Sequence, residues 1–364
     1  MKVCIRKTAL VVRLLPVIAT LVLLPCTNTH ALTIQHVSHT PTHLSFEKNK
    51  SVNVRFALDE TAQVDLKIYD DRDVLIRTVN GGSLKKGDAS IKWDGKDDRG
   101  KRVPPEAYHY TLEASASGKS VVYDVTDLLS KNASTVRNLK WDKDKGEISY
   151  ILGKASRLTL RVGIDEGGPL LANVINWLPR ARGKHVEKWK GHDASTNFDF
   201  RKVKKAKVIA NAYTFASNTI IVGKSTKASE YIKIANPVMR DRQRVSKKMF
   251  NQAGKLALDR IDYEVAIDLP TAKKTKDGVP IYKGVIPVKI SVPKGDLDRL
   301  YRDRFEPILY VDGQYISELE TGFFPVTWHL DTSEFKTGNH FITVNLRGYD
   351  GQYGATSLNF YVEN

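Results

Sequence analysis

Along much of this chain, apolar residues occupy every second position, and this period constrains the possible fold more than any other feature. The alternation is clear at residues 52–58, 62–68 and 108–114. A strand that buries one face has a period of two, whereas an amphipathic helix repeats every 3.6 residues. Turns rich in glycine and aspartate separate the alternating runs. The pattern predicts an all-β protein built from β-sandwiches.

A compact turn follows the alternating run that ends at Trp93. Its residues are Trp93, Asp94, Gly95, Lys96, Asp97, Asp98, Arg99 and Gly100. Aspartate side chains accept hydrogen bonds from the backbone two residues on, and glycine adopts positive φ without steric cost. We therefore expect a structured turn, with Trp93 filling the core between the strands on either side.

Three carboxylates of this turn, those of Asp94, Asp97 and Asp98, could alternatively bind a calcium ion. A calcium loop of the EF-hand type requires Asp-x-Asp-x-Asp-Gly and a later glutamate, and that spacing is absent. The three residues are therefore weak metal candidates, and the sequence predicts no metal site and no cofactor.

A second copy of the turn lies further along the chain. The glycine, tryptophan, glycine and aspartate of the first copy are Gly87, Trp93, Gly95 and Asp97. The same residue types recur with the same spacing at Gly183, Trp189, Gly191 and Asp193. Lys190 replaces the aspartate that follows the tryptophan. This internal repeat predicts a second, degenerate sandwich of the same kind.

The run from residue 52 to residue 114 resembles the immunoglobulin-like (Ig-like) domain of the flagellar hook-capping protein. The matching residues are Val64 to Asp70, Gly87, the Trp93 turn with its Gly100, Val103, Pro104 and Tyr108. One departure is Glu106-Ala107, where the family usually has glycine just before the tyrosine. The resemblance implies an Ig-like β-sandwich and says little about activity, because this fold carries many functions. More loosely, the run 338–344 resembles the closing strands of other secreted bacterial Ig-like domains.

The predicted organisation is three tandem Ig-like β-sandwiches, with a basic connector before the last. The predicted segments are a signal peptide (1–31), a leader (32–45), a first sandwich (46–118), a linker (119–134), a second sandwich (135–223), the connector (224–261) and a C-terminal sandwich (262–364).

The first 31 residues have the features of a secretory signal. Basic residues come first, an apolar run spans residues 14–24, and Thr29-His30-Ala31 is a small-x-small cleavage site. Eleven apolar positions are too few for a membrane span. Cys26 leaves lipidation open, although Pro25 disfavours it. We expect a protein of the periplasm, the outer-membrane surface or the extracellular space, with no transmembrane span after signal removal.

Both cysteines, Cys4 and Cys26, lie inside the predicted signal. A mature chain that begins after Ala31 would therefore have no disulfide, no thiolate metal site and no cysteine nucleophile.

The net charge of +16 is concentrated in the middle of the chain. Residues 180–283 contain 24 Lys and Arg against 10 Asp and Glu, which gives +14. Clustered cations favour anionic partners. The candidate anion-binding residues are Arg201, Lys202, Lys204, Lys205, Lys207, Arg240, Arg242, Arg244, Lys247 and Lys248. Trp177, Trp189 and Tyr213 could stack on sugars or fill the core.

Three further groups could bind metal or act as acid and base, although solvated or packed side chains explain each of them as well. They are the histidines His36, His39 and His43, the set His185, Glu187, His192 and Asp193, and the pair Glu318 and Glu320.

No nucleophile elbow, zinc-protease or phosphate-loop motif is present in the sequence. We therefore predict a non-catalytic extracytoplasmic protein that acts in assembly, adhesion or as a scaffold, with an envelope or extracellular protein as partner. The alternative is a binding module for an anionic polysaccharide or an acidic protein through the basic middle region. A glycan hydrolase ranks third. Nucleic acid fits the charge but not the compartment. The hook cap itself is excluded, because that family is exported through the flagellum.

Overall fold

The computed structural model describes residues 31–126, 133–226, 237–240, 262–320, 323–348 and 352–364. The predicted signal peptide, up to residue 30, and most of the predicted connector lie outside these ranges. Almost all regular structure is β-strand, which confirms the predicted all-β class. Among the described residues, no helix is long and apolar enough to cross a membrane.

Two sheets that enclose one apolar core form the first sandwich. Its strands are β1 (Ile34–Thr40), β2 (His43–Leu44), β3 (Val52–Leu58), β4 (Ala62–Tyr69), β5 (Leu75–Leu84), β6 (Gly87–Trp93), β7 (Ala107–Ala116) and β8 (Lys119–Tyr123). One sheet has the order β1-β3-β6, and the other is built around β5-β4-β7. The residues that alternate in β3 and β4 are buried, as predicted.

The second sandwich repeats this plan. Its strands are β9 (Ala133–Ser134), β10 (Val136–Asp142), β11 (Glu147–Leu152), β12 (Ser156–Ile164), β13 (Leu170–Arg180), β14 (Gly183–Lys188), β15 (His192–Asp193), β16 (Phe198–Asp199) and β17 (Ala206–Thr214), with a 3₁₀ turn at Phe200–Lys202. The sheets have the orders β10-β11-β14 and β13-β12-β17-β9, beside a β15-β16 pair. Strands β1 and β10 even share a bulge, where His36 and Asn138 each have a φ of 52°.

Strand β18 (Thr219–Val222) follows the second sandwich in sequence but completes the first. It pairs antiparallel with β7 and parallel with β2, and Ile220 and Val222 join the first core. This corrects the predicted boundary at residue 223. The pairing of β1, β2 and β8 likewise places the predicted leader and the start of the predicted linker inside the first sandwich. A short apolar run indicates a strand, but it does not say which core the strand joins.

In the third sandwich, the described strands are consecutive in sequence and pair only with one another. They are β19 (Ala266–Asp268), β20 (Ile281–Tyr282), β21 (Val285–Ser291), β22 (Phe305–Val311), β23 (Gln314–Glu318), β24 (Val326–Asp331), β25 (Gly338–Gly348) and β26 (Tyr353–Val362), with helix α1 (Leu297–Asp303) and 3₁₀ turns at Lys294–Asp296 and Thr332–Glu334. The sheet orders are β19-β21-β24 and β20-β26-β25-β22-β23. Asp312 and Gly313 both have positive φ in the β22–β23 hairpin, as an Asp-Gly hairpin turn requires.

The sandwiches are joined by buried ion pairs, and residues Leu32–Asn364 form one compact unit. Between the first and second sandwiches, Arg157 donates to Glu106 at 2.8 Å, and both side chains are less than one-tenth exposed. Between the second and third, the guanidinium of Arg161 binds both carboxylate oxygens of Asp262. Specific charged contacts therefore hold each sandwich against its neighbour, in addition to the chain that connects them.

Candidate functional site

The Trp93 turn is closed by its own side chains. Trp93 is fully buried, and its indole N–H donates to the Lys96 carbonyl at 2.9 Å. The Asp97 carboxylate accepts from the backbone N–H groups of Arg99 at 3.0 Å and Lys101 at 2.9 Å, and from the Arg99 guanidinium. Burial of Asp97 raises its pKa, but these donors outweigh it and hold the pKa below its usual range. Asp97 thus stabilises the turn.

The other two metal candidates of this turn point to different partners. Asp94 accepts from the backbone of Lys96 at 3.1 Å, and Asp98 accepts from the backbone of Thr78 at 3.2 Å. Across the part of the chain that the structure describes, no group of three or more His, Cys, Asp or Glu side chains is placed to hold a metal ion. The arrangement favours the structural interpretation of the turn.

The second turn has the backbone conformation of the first at its glycine, but its tryptophan is less deeply buried. Gly95 and Gly191 have φ values of 72° and 70°. A Cβ at Gly95 would meet Leu44 at 2.6 Å, and one at Gly191 would meet Trp141 at 2.8 Å, so both turns require glycine. Trp189 is half-buried, with Trp141 at 5.1 Å from its ring. The spacing repeat therefore corresponds to a repeat of backbone conformation.

Asp193 also keeps the role of its counterpart Asp97. Its carboxylate accepts from the backbone N–H of Ser195, two residues on, at 2.8 Å and from the Ser195 hydroxyl at 2.6 Å. Burial raises the pKa of Asp193, but these hydrogen bonds and those from Thr196 leave it below its usual range.

Five predicted anion-binding residues lie together on the second sandwich, but ion pairs occupy three of them. Arg201 binds Asp199 through two hydrogen bonds of 2.8 Å. Lys205 and Lys207 form ion pairs with Glu166 and Asp165, respectively. Lys202 and Lys204 are exposed, and neither forms an ion pair with another described residue. The exposed positive charge is therefore smaller than the sequence suggests.

Lys202 and Lys204 lie at a groove of about 560 Å³ between the second and third sandwiches. Its lining includes His192, Arg201, Lys202, Lys204, Asp277 and Asn359. The groove is also lined by the carboxylate of Asp199 and by apolar side chains that include Phe198 and Phe341.

Arg240 does not belong to an anion-binding surface, which corrects the prediction. Its side chain is buried and binds Asp73 at 3.0 Å and Asp124 at 2.7 Å. The adjacent Met239 pairs with Val74 at the β4–β5 turn. Arg240 thus attaches the chain that follows β18 to the first sandwich. The remaining predicted cations, Arg242, Arg244, Lys247 and Lys248, lie outside the described residues.

The histidines near the chain start have separate partners. His39 contacts the Tyr110 hydroxyl at 3.3 Å, and His43 contacts the Gly223 carbonyl at 3.0 Å. Burial lowers the pKa of His39 to about 4, so it stays neutral at physiological pH. His36 is exposed. These positions contribute to the first sandwich and its junction with β18.

The candidate acid–base residues around Trp189 also have separate partners. Glu187 is buried and binds Arg180 and the Tyr150 hydroxyl, both at 2.8 Å. His185 contacts the Ala181 carbonyl at 2.7 Å, and His192 contacts Asn197 at 3.1 Å. These side chains therefore support loops and strands instead of converging on one point.

The remaining candidates are divided between core and solvent. Trp177 is buried and packs against Tyr213 at 5.1 Å, so neither ring forms an open platform for sugars. Glu318 and Glu320 are exposed, as the solvated interpretation expects.

The residues that sequence analysis missed are those of the joints, Arg157, Arg161 and Asp262. One signal was available, because Glu106-Ala107 stands where the resembled family usually has glycine just before the tyrosine. That carboxylate is the buried partner of Arg157. A departure from a family pattern thus marks the contact with the next sandwich.

Residues 41–118 match the family model described as "FlgD Ig-like domain". This part of the chain is an FlgD-like Ig domain, which confirms the resemblance carried by the Trp93 turn. The match covers about a fifth of the chain and omits β1, β8 and β18.

Three solved structures illustrate the wider similarity. FlgD from P. aeruginosa is 21% identical, with 34% of this chain and 83% of that chain covered and a TM-score of 0.22. An endo-β-1,4-mannanase from Thermotoga petrophila is 18% identical, with coverages of 32% and 24% and a TM-score of 0.22. A 1.5-MDa bacterial ice-binding adhesin is 11% identical, with coverages of 92% and 99% and a TM-score of 0.19. Similarities this low carry no conclusion about activity. No curated protein matches the chain.

Proposed function

We propose that this chain is a non-catalytic extracytoplasmic protein that acts in assembly, adhesion or as a scaffold, with an envelope or extracellular protein as its partner. The FlgD-like Ig domain supports this proposal, because Ig-like sandwiches display loops and sheet surfaces for binding. The features of a secretory signal in residues 1–31 support the location. The candidate acid–base residues have structural partners or are solvated, and this favours binding over catalysis.

The observation that carries the proposal is the pair of charged joints. Arg157 and Arg161 are buried, and their partners Glu106 and Asp262 belong to neighbouring sandwiches. Separating a buried ion pair leaves each charge without compensation, so such a joint resists bending. Sandwiches held in this way keep their outer surfaces at fixed positions, as a scaffold requires.

Capture from the native envelope fraction tests this proposal. The full chain should retain a specific protein partner. Arg161→Met should weaken its retention by loosening one joint, while Lys96→Met, which breaks the exposed pair with Asp94 in the first sandwich, should not. Hydrolysis of envelope glycans by the purified chain, or capture of no protein, would contradict the proposal.

A second candidate is binding of an anionic polysaccharide at Lys202 and Lys204. Their exposure beside the groove favours it, since neither lysine forms an ion pair with a described residue. The test compares the binding of the unchanged chain and of Lys202→Glu/Lys204→Glu to a sulfated polysaccharide, and the double variant should bind more weakly. Its matched control is Lys85→Glu/Lys86→Glu, two exposed lysines of the first sandwich. Binding that survives about 0.5 M salt would contradict an electrostatic mode, because screening there acts within a few ångströms.

A further inference from the structure

The three sandwiches differ in how one sheet edge is closed. In the third, β26 pairs with β25 at ten positions, from Gly338 to Arg347. In the first, β8 and β18 divide the corresponding edge of β7, at five and three positions. In the second, the corresponding edge of β17 pairs only with β9, at Ala212 and Tyr213. The second sandwich thus lacks a closing strand among the described residues, and β18, which follows it in sequence, closes the first instead.

Successive residues of β17 direct their backbone N–H and C=O groups to opposite edges, and this alternation identifies the groups that have no partner strand among the described residues. The Asp165 N–H donates to the Lys205 carbonyl, and the Phe215 N–H donates to the Ala155 carbonyl. Both pairs follow the β12–β17 register, so odd-numbered residues of β17 bond to β12. Even-numbered residues direct their N–H and C=O groups to the opposite edge. Val208 and Ala210 therefore present two donors and two acceptors that no described strand pairs.

The surroundings of this edge are cationic. Lys207 is exposed on β17, and Lys202, Lys204 and Lys205 precede the strand. With Arg201, these residues make five cations. Three of the five pair with the carboxylates of Asp199, Glu166 and Asp165, which leaves a net charge of +2. Strand β10 of the opposite sheet lies near this edge without pairing to β17. Exposed lysines are a common guard against unwanted strand pairing, so an accepted strand must compensate them.

We propose that the edge of β17 at Val208 and Ala210 accepts an extended acidic segment of a partner protein, which adds as the missing strand of the second sandwich. Main-chain hydrogen bonds to Val208 and Ala210 provide affinity in this mode, and side chains that alternate along the added strand provide specificity. Glutamates of the added strand compensate Lys202 and Lys204, which precede β17 and form no ion pair with a described residue. The inference rests on the proposed binding function and names a surface and a partner chemistry for it.

Amide hydrogen exchange on the full chain tests the edge directly. Without a ligand, the amides of Val208 and Ala210 should exchange at least about 10-fold faster than those of Lys207 and Ile209, which bond to β12. A nine-residue peptide of alternating Val and Glu should slow them by about 10-fold or more, and about 0.5 M salt should weaken this effect. The same peptide with Lys in place of Glu should have no effect. Slow exchange of both amides in the free chain would overturn the proposal, because the edge would already be covered.

Two proline variants separate binding from folding. Ala210→Pro removes an outward N–H, which an edge strand tolerates, so the variant should fold and lose the peptide effect. Asn211→Pro removes a bond to β12 and should lower the unfolding temperature. Peptide protection that persists at Val208 in Ala210→Pro would overturn the proposal. If the peptide fails to protect the edge while an envelope protein is still captured, only the edge proposal falls. If the peptide binds while no envelope protein is captured, the proposed function falls.

Discussion

The first and second sandwiches carry the same turn and the same strand order, yet they differ in completeness. In the first, Trp93 is fully buried and the edge of β7 is closed. In the second, Trp189 is half-buried and most of the β17 edge is unpaired by described residues. The strand that could have closed the second sandwich closes the first. The comparison shows that a domain recognised by sequence need not contain all the strands that its core requires.

The largest effect should come from cutting the chain at the limits of the family match. Residues 41–118 lack β1, β8 and β18, so we expect no cooperative unfolding of that fragment by circular dichroism. Residues 32–226 contain every described strand of the first two sandwiches and should unfold cooperatively. Residues 262–364 include their own closing strand and serve as a positive control. A cooperative transition of 41–118 alone would show that β18 is dispensable and would remove the contrast between the sandwiches.

The joint between the two sandwiches provides the next test. Arg157→Ala leaves Glu106 buried without its partner, and Asp71 also loses a cation at 3.7 Å. Breaking a buried pair in this way should lower the free energy of unfolding by about 3–5 kcal/mol. The matched control is Arg201→Ala, whose pair with Asp199 lies at the surface with an exposed guanidinium and should contribute about 1 kcal/mol or less. Equal losses in urea titrations would indicate that the joint is not a stabilising contact.

The two tryptophans compare the turns themselves. Trp93→Ala should lower the free energy of unfolding by about 3–5 kcal/mol, the range for a buried aromatic side chain. Trp189→Ala should cost less, since Trp189 already has part of its ring in solvent. Thermal and urea unfolding of 32–226 measure both. A loss at Trp189 as large as that at Trp93 would mean that the second turn is as complete as the first.

Much of this fold follows from the sequence, because alternation and turn chemistry are local. The burial of Trp93, the Asp97 turn and the repeat at Gly191 were all predicted from short segments. Residues 219–222, which form β18, were assigned to the second sandwich, since a run of four residues fits any sheet edge. Arg240 was predicted to bind an anionic partner, because net charge does not show which cations pair with buried carboxylates such as Asp73. Pairing between distant segments depends on the whole fold, and no local pattern reports it.

The last contrast is a difference in pH dependence between two buried carboxylates. Burial, together with the nearby charges of Glu106 and Asp70, raises the pKa of Asp71 to about 7, although Arg157 opposes the shift. An unfolded aspartate ionises near pH 3.8, so unfolding releases a proton between about pH 4 and 7. The free energy of unfolding therefore falls as the pH rises through that window. Asp71→Asn should remove this fall.

Glu187 in the second sandwich should behave in the opposite way. Its burial raises the pKa, but Arg180 and Lys224 outweigh that effect and hold the pKa below the ordinary value of 4.5. The stabilisation by Glu187 is present above pH 4.5 and is lost as the pH falls below it. Glu187→Gln should therefore weaken the loss of stability in acid, whereas Asp71→Asn acts between pH 4 and 7. Urea unfolding of both variants at several pH values measures the two slopes. Slopes of the same sign would show that the two carboxylates share one electrostatic environment and would break the contrast between the sandwiches.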